Sequence, residues 1–488
     1  MIEDHRHRHA RVRWLFLRAL ALVYLCAFAS LWVQVEGLIG ADGILPVREL
    51  LDFIRERTGP ERYWLLPTVL WFDSGDGALL AICGCGASLS VVLLLGFAPR
   101  AVSALLWVLY LSVVGVGQVF LGYQWDALLL ETGLLAILLA PGGWRPRLGS
   151  EPSLASLWLL RWLLFRLMFA SGLVKLASGD PTWRNFTALD FHYWTQPLPT
   201  WVGWYAHQTP AWTHRASVAL MFALELAVPM LVFAGRRARL AAFFPLVALQ
   251  ALIAATGNYA FFNLLAAALC LPLLDDAALP AWLRVRFAMM DPAEPAPLFR
   301  RVDLALAAVV LPVSLMQFGA ATGIRLPWPP PFPQVRAVVA PLESVNGYGL
   351  FAVMTTTRPE IVVEGSRNGV TWLPYEFRFK PGDPRRAPAF VAPHQPRLDW
   401  QMWFAALAPC ERSPWLERFL VRLREGSPAV RRLLAADPFA GDPPALVRAE
   451  LYEYRFTEPA QRRGSGEWWE RRRLGLFCPV VGESLPPR

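Results

Sequence analysis

Along the first two thirds of the chain, apolar residues come in blocks of about the twenty residues a helix needs to cross a bilayer, divided by short polar breaks. The blocks fall at 14–35, 77–97, 101–121, 124–140, 155–178, 216–234, 239–256, 259–275 and 303–319. Their length and continuity separate them from the helices of a soluble core, and about nine spans are predicted. The block at 124–140 is among the shortest, and the side on which the chain finally emerges turns on it.

Charge orients these spans. Arg100, Arg145 with Arg147, Arg236 with Arg237 and Arg239, and Arg284, Arg286, Arg300 and Arg301 lie in the connections of one side, whereas the opposite short connections, Gly122-Tyr123 and Gly257-Asn258, carry no basic residue. Basic loops stay on the cytoplasmic side. The N-terminus is therefore expected to be cytoplasmic. An odd number of spans then puts the chain beyond Gly319 on the extracytoplasmic side, together with loops 36–76 and 179–215. The flank MIEDHRHRHARVR before the first block suits a signal peptide or a signal anchor. Its long apolar run favours the anchor, with Ala27-Phe28-Ala29 leaving cleavage open. His5, His7 and His9 alternate there, and a solvated basic flank facing anionic lipid is expected in preference to a metal site.

Beyond the blocks the pattern changes. Residues 326–333 form a proline-rich linker, expected to be stiff and extended, between a transmembrane bundle at 1–325 and a soluble extracytoplasmic domain at 334–488. Ile361 to Ser366 and Val370 to Trp372 flank Asn368-Gly369 as strands about a turn, and Tyr375 to Lys380 alternates in strand fashion. Trp400 to Ala408 and Pro414 to Ala436 read as helices, and Ala445 to Thr457 and Trp468 to Phe477 as strands. The fold class is a polytopic α-helical membrane bundle with a C-terminal α+β domain built on an antiparallel sheet.

Composition agrees: 55% of the 488 residues are hydrophobic and 17% charged, too apolar a balance for an ordinary soluble protein. The net charge of +9 would suit nucleic acid, but the arginines sit beside apolar runs in the pattern of membrane topology, so lipid is the expected partner and nucleic acid is not. Cys26, Cys83, Cys85 and Cys270 lie in apolar runs. Cys410 and Cys478 both fall on the oxidising side, and either a disulfide between them or two free thiols fits the sequence.

Several polar residues interrupt the spans, and intramembrane ionisable groups mark functional sites by default. Gln124, Trp125, Asp126 and Glu131 open one span, Lys175 closes another, Glu225 lies deeper, and Asn258 and Asn263 bracket an outer turn. A common pocket beneath loop 179–215 would gather them with Asp180, Trp183, Arg184, His192, Tyr193, Gln196 and His207. Lys175 is one of two lysines in an arginine-rich chain, the other being Lys380. Two readings of it stay open: an ion pair with Glu131 or Asp126 that orients helices, or an amine that burial neutralises for use as a base or nucleophile. On the second reading Lys175, Glu131 and His192 are the catalytic candidates. His192 and His207 lack the spacing of a metal site, and Trp183, Trp194, Trp201, Trp204 and Trp212 suit an interfacial aromatic belt. No metal is expected.

Longer stretches carry a resemblance. GYQWDALLLETG at 122–133, GLVKLASGDPTWRNFTALDFHYWTQPLPT at 172–200, WYAHQTP at 204–210, and YEFRFKPGD with APHQPRLDWQMWFAAL within 375–407 resemble the lipase maturation factor family, over nearly the whole chain. The resemblance implies an endoplasmic-reticulum membrane protein that assists folding and assembly of secreted lipases, its C-terminal domain facing the lumen. The arginine-rich composition and compact loops look bacterial, which would make the membrane an inner membrane and the client another exported protein. Exposed Trp400, Trp403, Trp468 and Trp469 are the expected client contacts. Through G-L-V-K-L…W at 172–183 the membrane part is also distantly similar to the vitamin K-dependent gamma-carboxylase. That likeness implies Lys175 as a base acting on a lipid-soluble cofactor or substrate; otherwise no cofactor is expected.

Overall fold

The computed structural model describes residues 9–145, 151–286, 297–323, 327–439 and 441–482, with 284–286 and 297–300 described by backbone alone. His5, His7, Arg147 and Leu326 fall outside the described residues, as do the side chains of Arg284, Arg286 and Arg300. The bundle comprises α1 (Ala10–Trp32), α2 (Val47–Arg57), α3 (Asp76–Leu95), α4 (Pro99–Val116), α5 (Gln124–Leu139), α6 (Leu154–Ala177), α7 (Ala188–Thr195), α8 (Ala211–Phe233), α9 (Arg236–Thr256), α10 (Phe262–Leu273) and α11 (Pro297–Ala321). Among the described residues, α1, α3, α4, α6, α8, α9 and the apolar part of α11 make seven helices long and apolar enough to cross a membrane.

Two further apolar helices, α5 and α10, are shorter than these seven. Helix α5, 16 residues long, starts beside Tyr123, whose hydroxyl donates to the Arg397 carbonyl, and finishes at Ala140, whose carbonyl accepts from Arg100 Nε at 2.9 Å. Helix α10 leads to Asp275, which Arg236 grips at 2.6 Å. One end of the bundle thus collects these arginines and the start of α1, where the Arg11 amide meets Asp276 at 3.0 Å. The other end carries the long loops and the C-terminal residues. The turn joining α3 to α4 is set by local chemistry: Gly96 adopts φ +90 as the cap of α3, and Pro99 begins α4 where a missing amide costs nothing.

After α11 comes α12 (Phe332–Val339), which begins inside the proline-rich stretch. The chain then forms β1 (Pro359–Ser366), β2 (Leu373–Pro374), α13 (Arg397–Ala406), α14 (Pro414–Arg424), β3 (Leu446–Phe456) and β4 (Trp469–Val481). The sheet is antiparallel in the order β2-β1-β3-β4, with Ile361 opposite Leu451, Val363 opposite Ala449 and Tyr452 opposite Arg473. Cys410 and Cys478 are joined by a disulfide, Cα to Cα 5.6 Å, which ties the stretch before α14 to β4.

Three local expectations are corrected. The strand after the Asn368-Gly369 turn pairs through Leu373 and Pro374 and not through 370–372. In place of a strand over Tyr375 to Lys380, only Glu376–Phe377 pairs, with Leu434–Ala436. The Asp399 carboxylate takes the amides of Phe379 and Lys380, each at 2.8 Å, so they need no neighbouring strand. The helix expected over Pro414 to Ala436 stops at Arg424, because Gly426 turns left-handed at φ +73.

The C-terminal residues do not pack as a separate body. One buried cluster runs from Phe16, Tyr24 and Tyr110 in the bundle to Tyr348, Trp400, Phe419 and Val447. Two segments are inserted among the bundle helices. In 342–351, Ser344 Oγ accepts from Trp107 Nε1 on α4 at 2.9 Å, and Asn346 Nδ2 donates to the Ala127 carbonyl on α5 at 3.2 Å. In 394–401, the Gln395 amide donates to Ser30 Oγ at 2.8 Å and the Arg397 amide to Gln34 Oε1 at 3.0 Å, both at the end of α1.

Candidate functional site

The polar residues of the spans separate into three buried clusters. In the first, Asp126 accepts from both terminal guanidinium nitrogens of Arg397 at 2.9 Å and from the Tyr110 hydroxyl at 2.5 Å. In the second, Glu131 is paired with Arg166 and accepts from Tyr348 Oη at 2.6 Å and the Asn346 amide at 3.0 Å. In the third, Lys175 Nζ donates to Glu225 at 2.8 and 3.0 Å and to the Ser171 carbonyl at 3.1 Å. Each cluster neutralises its charges within hydrogen-bonding reach, as ionisable groups in a bundle interior require.

The expected pairing of Lys175 with Glu131 or Asp126 is therefore corrected. Helix geometry explains the exchange. Arg166 lies nine residues before Lys175 on α6, about 13 Å along the axis, and that is the level at which Glu131 meets it. Lys175 faces α8 instead. There Pro229 has no amide to bond the Glu225 carbonyl four residues earlier, and the helix opens into a π turn over Ala223–Ala227 that carries Glu225. Gly172 permits the close approach: a Cβ there would lie 3.0 Å from the Glu225 Cβ.

Loop 179–215 closes over this pair as a folded cap. Asp180 caps the turn Pro181–Arg184 through the Thr182 amide at 2.8 Å and accepts the Met354 amide at 2.6 Å. Trp183 lies over Lys175, ring to Nζ 5.4 Å, and donates to the Phe351 carbonyl at 3.0 Å. His192, on α7, packs edge-on against Phe351 at 5.0 Å. Gln196 is oriented by the Thr256 carbonyl, which its Nε2 bonds at 2.8 Å, so its Oε1 receives the Tyr259 hydroxyl at 2.7 Å. The Tyr259 proton being spent there, the contact of His192 Nε2 with Tyr259 Oη at 3.1 Å assigns the ring proton to Nε2. His192 Nδ1 is then a buried acceptor with no protein partner. Burial first, and the Lys175 ammonium second, lower the His192 pKa to about 4. The ring is neutral at physiological pH.

The remaining candidates fall around this centre. Trp125 stacks on Tyr123 at 4.8 Å and meets the Trp400 edge at 4.7 Å. Gln124 Oε1 and both amide atoms of Asn263 are buried without a protein partner. Asn258 clamps the C-terminal residues, donating to the Ala389 carbonyl at 2.8 Å and accepting from the Val391 amide at 2.7 Å. Tyr193 and His207 pack around His214, at 5.6 and 6.4 Å between ring centroids, while His214 Nδ1 meets Asp190 at 2.7 Å. Burial and the neighbouring His214 lower the His207 pKa to about 4. Arg184 is exposed and stands outside the cluster. Of the expected common pocket, the structure brings together Lys175, Glu225, Trp183, His192 and Gln196; Asp126 and Glu131 belong elsewhere. Sequence reasoning missed Phe351, Tyr348, Asn346 and Arg397, whose segments carry no apolar run of spanning length to flag a place inside the bundle. Among the described residues, no three His, Cys, Asp or Glu side chains are grouped to hold a metal ion.

The tryptophans expected to meet a client are corrected as well. Trp400, Trp403 and Trp469 are buried and Trp468 half-buried. Trp403 Nε1 donates to the Thr195 carbonyl at 2.9 Å, Trp469 packs on Phe456 at 4.6 Å, and Trp468 on Trp204 at 5.5 Å. Trp403, Trp468 and Trp469 form the seam between the C-terminal residues and loop 179–215, while Trp400 packs on Trp125 at the start of α5. The belt expected of the loop is likewise mostly internal: Trp183, Trp194 and Trp204 are buried, while Trp201 and Trp212 are exposed.

The lipase maturation factor transmembrane domain family matches residues 11–281, and the lipase maturation factor C-terminal domain family matches residues 344–479. The chain belongs to the lipase maturation factor family. Lipase maturation factor 2 of Gallus gallus is 38% identical over 98% of this chain and 82% of its own length. Lipase maturation factor 1 of Homo sapiens is 37% identical over 99% of this chain and 90% of its own, and that of Bos taurus 37% identical over 98% and 91%. No solved structure matches. In this lipase maturation factor family member, the second family segment begins at 344, inside the stretch inserted among the bundle helices. The carboxylase-like alternative gains no support from these relatives.

Proposed function

We propose that this integral membrane protein assists the folding or assembly of a lipase, or of a similar exported client, on the extracytoplasmic side of its membrane. The observation that carries the reading is the match of both family segments in order, with relatives named as lipase maturation factors covering nearly all of this chain. The orientation is supported by the arginines gathered at one end of the bundle and the Cys410–Cys478 disulfide at the other. The membrane is then one with an oxidising far side, either an endoplasmic-reticulum membrane or a bacterial inner membrane. Lys175 serves this function as the buried partner of Glu225, so the positive charge matters and a deprotonated amine does not.

Secretion of active lipase from cells carrying this protein tests the proposal. Secretion should depend on the protein, and Lys175→Arg should retain it at matched protein level. Loss of client activity in a stably inserted Lys175→Arg protein would mean that the amine itself reacts, and maturation without chemistry would be wrong.

A further inference from the structure

The loop between α1 and α3 places a row of large apolar side chains in the open. Tyr63, Trp64, Leu65 and Phe72 are all exposed, Phe72 at 93%. The segment from Arg62 to Phe72 carries a single charge: Arg62, which lies against the Tyr63 ring at 4.8 Å, as Arg57 just before it lies against Phe53 at 3.7 Å. Aromatic rings interleaved with arginine are the composition of a membrane–water interface.

The depth of this row can be read from what it touches. Thr68 Oγ1 donates to the Ser112 carbonyl of α4 at 3.0 Å, and the Val69 amide donates to Ser112 Oγ at 3.2 Å. Leu66 lies against Gly115, where an added Cβ would come within 3.0 Å of its Cδ1. Helix α4 is one of the membrane-crossing helices and ends at Val116, so Ser112 sits four residues, about 6 Å, inside its outer end. The loop dips to that level before returning to α3. A second segment joins it. Trp64 Nε1 donates to the Val338 carbonyl of α12 at 3.1 Å, and Val338 is itself exposed. Helix α12 follows the last crossing helix just as 62–72 follows the first.

We infer that 62–72 and α12 together form an in-plane anchor seated in the lipid, with Tyr63, Trp64, Leu65, Phe72 and Val338 at the boundary between headgroups and acyl chains. The occupant of this apolar surface is the bilayer itself. An apolar face of this kind sinks about 5–10 Å below the headgroup level, which agrees with the contact at Ser112. The anchor fixes the height at which 342–351 enters the bundle, only a few residues after α12.

Site-directed spin labelling tests the inference on the full chain in phosphatidylcholine–phosphatidylglycerol nanodiscs. Cys26 and Cys85, the free cysteines that are not buried, are first replaced by serine. A label at Phe72→Cys or Leu65→Cys should collide more with lipid-soluble oxygen than with a water-soluble nickel chelate, and a label at Ser465→Cys, on an exposed turn of the C-terminal part, should show the reverse. The same nickel accessibility at Phe72 as at Ser465 would place the row in water and overturn the inference. So would low accessibility to both reagents, which would mean that a protein surface covers it. The Trp64→Phe variant, which keeps the ring and loses the bond to Val338, should retain the Phe72 ratio while raising nickel access at a label on Val338→Cys.

Discussion

His192 stands where two effects disfavour its charged form, burial and the ammonium of Lys175, and its pKa falls from 6.5 to about 4. The sign of the resulting pH dependence follows directly. Above 6.5 the ring is neutral in folded and unfolded chain alike. As pH falls below 6.5 the unfolded chain takes up a proton that the folded site refuses, so stability declines down to about pH 4 and is then flat. The loss for this one ring is about 3 kcal/mol. His207 and His394 are lowered to about 4 in the same way, burial being the leading cause for each. Thermal unfolding in detergent should therefore show a midpoint that drops between pH 6.5 and 4, with a shallower drop in His192→Gln. Identical slopes in the two proteins would mean that His192 is not held neutral by the fold. The sequence marks His192 as a pocket and catalytic candidate in an aromatic loop; the groups that set its chemistry, Phe351 and Tyr259, arrive from other parts of the chain.

Helices α6 and α8 meet at a point that neither announces alone. Lys175 stood out in sequence because an ionisable residue in an apolar run is costly, and that reasoning located one half of the contact. It could not locate the other half, since choosing among Asp126, Glu131 and Glu225 requires knowing which helices are neighbours. The signals of the contact were Gly172, Pro229 and Glu225, which acquire meaning only once α6 lies on α8. The spans themselves were legible because a continuous apolar run of bilayer length has few other uses. The pair is best tested as an element contact. Lys175→Met leaves Glu225 buried without its countercharge and should cost about 3–5 kcal/mol. Adding Glu225→Leu removes the stranded charge and should restore most of that loss, because an apolar pair of similar volume commonly replaces a buried ion pair at little cost. Unfolding midpoints of the single and double variants in detergent decide the matter. A double variant as unstable as the sum of its parts would show that the two residues do not stabilise one another.

At the scale of the molecule, the proline-rich stretch reads in sequence as a boundary between two bodies, and its composition does change there. What lies beyond it is nevertheless built into the bundle, and the contacts responsible join positions hundreds of residues apart. Arg397 meets Asp126 across 271 residues, and Tyr348 meets Glu131 across 217. No local pattern encodes such a pair, so the sheet and helices of the C-terminal part were largely legible and their attachment was not. Removing 334–488 would take Arg397 from Asp126, leaving that carboxylate without its countercharge inside the bundle, and Tyr348 and Asn346 from Glu131, so a truncation damages the membrane part along with the client-facing one. A nick is the cleaner probe. A protease site inserted after Pro329, in an exposed part of the linker, allows the chain to be cut in mild detergent without removing any residue. The fragments should then co-elute, since Arg397 with Asp126, Tyr348 with Glu131, Asn258 with Val391 and Asp180 with Met354 all bridge the cut. The nicked protein should also unfold in a single transition, because one apolar core serves both fragments. Arg397→Met should weaken the association by stranding Asp126, separating the fragments at a lower denaturant concentration than in the parent. A C-terminal fragment that elutes alone from the nicked parent would show the two parts to be independent bodies, joined by the linker and little else.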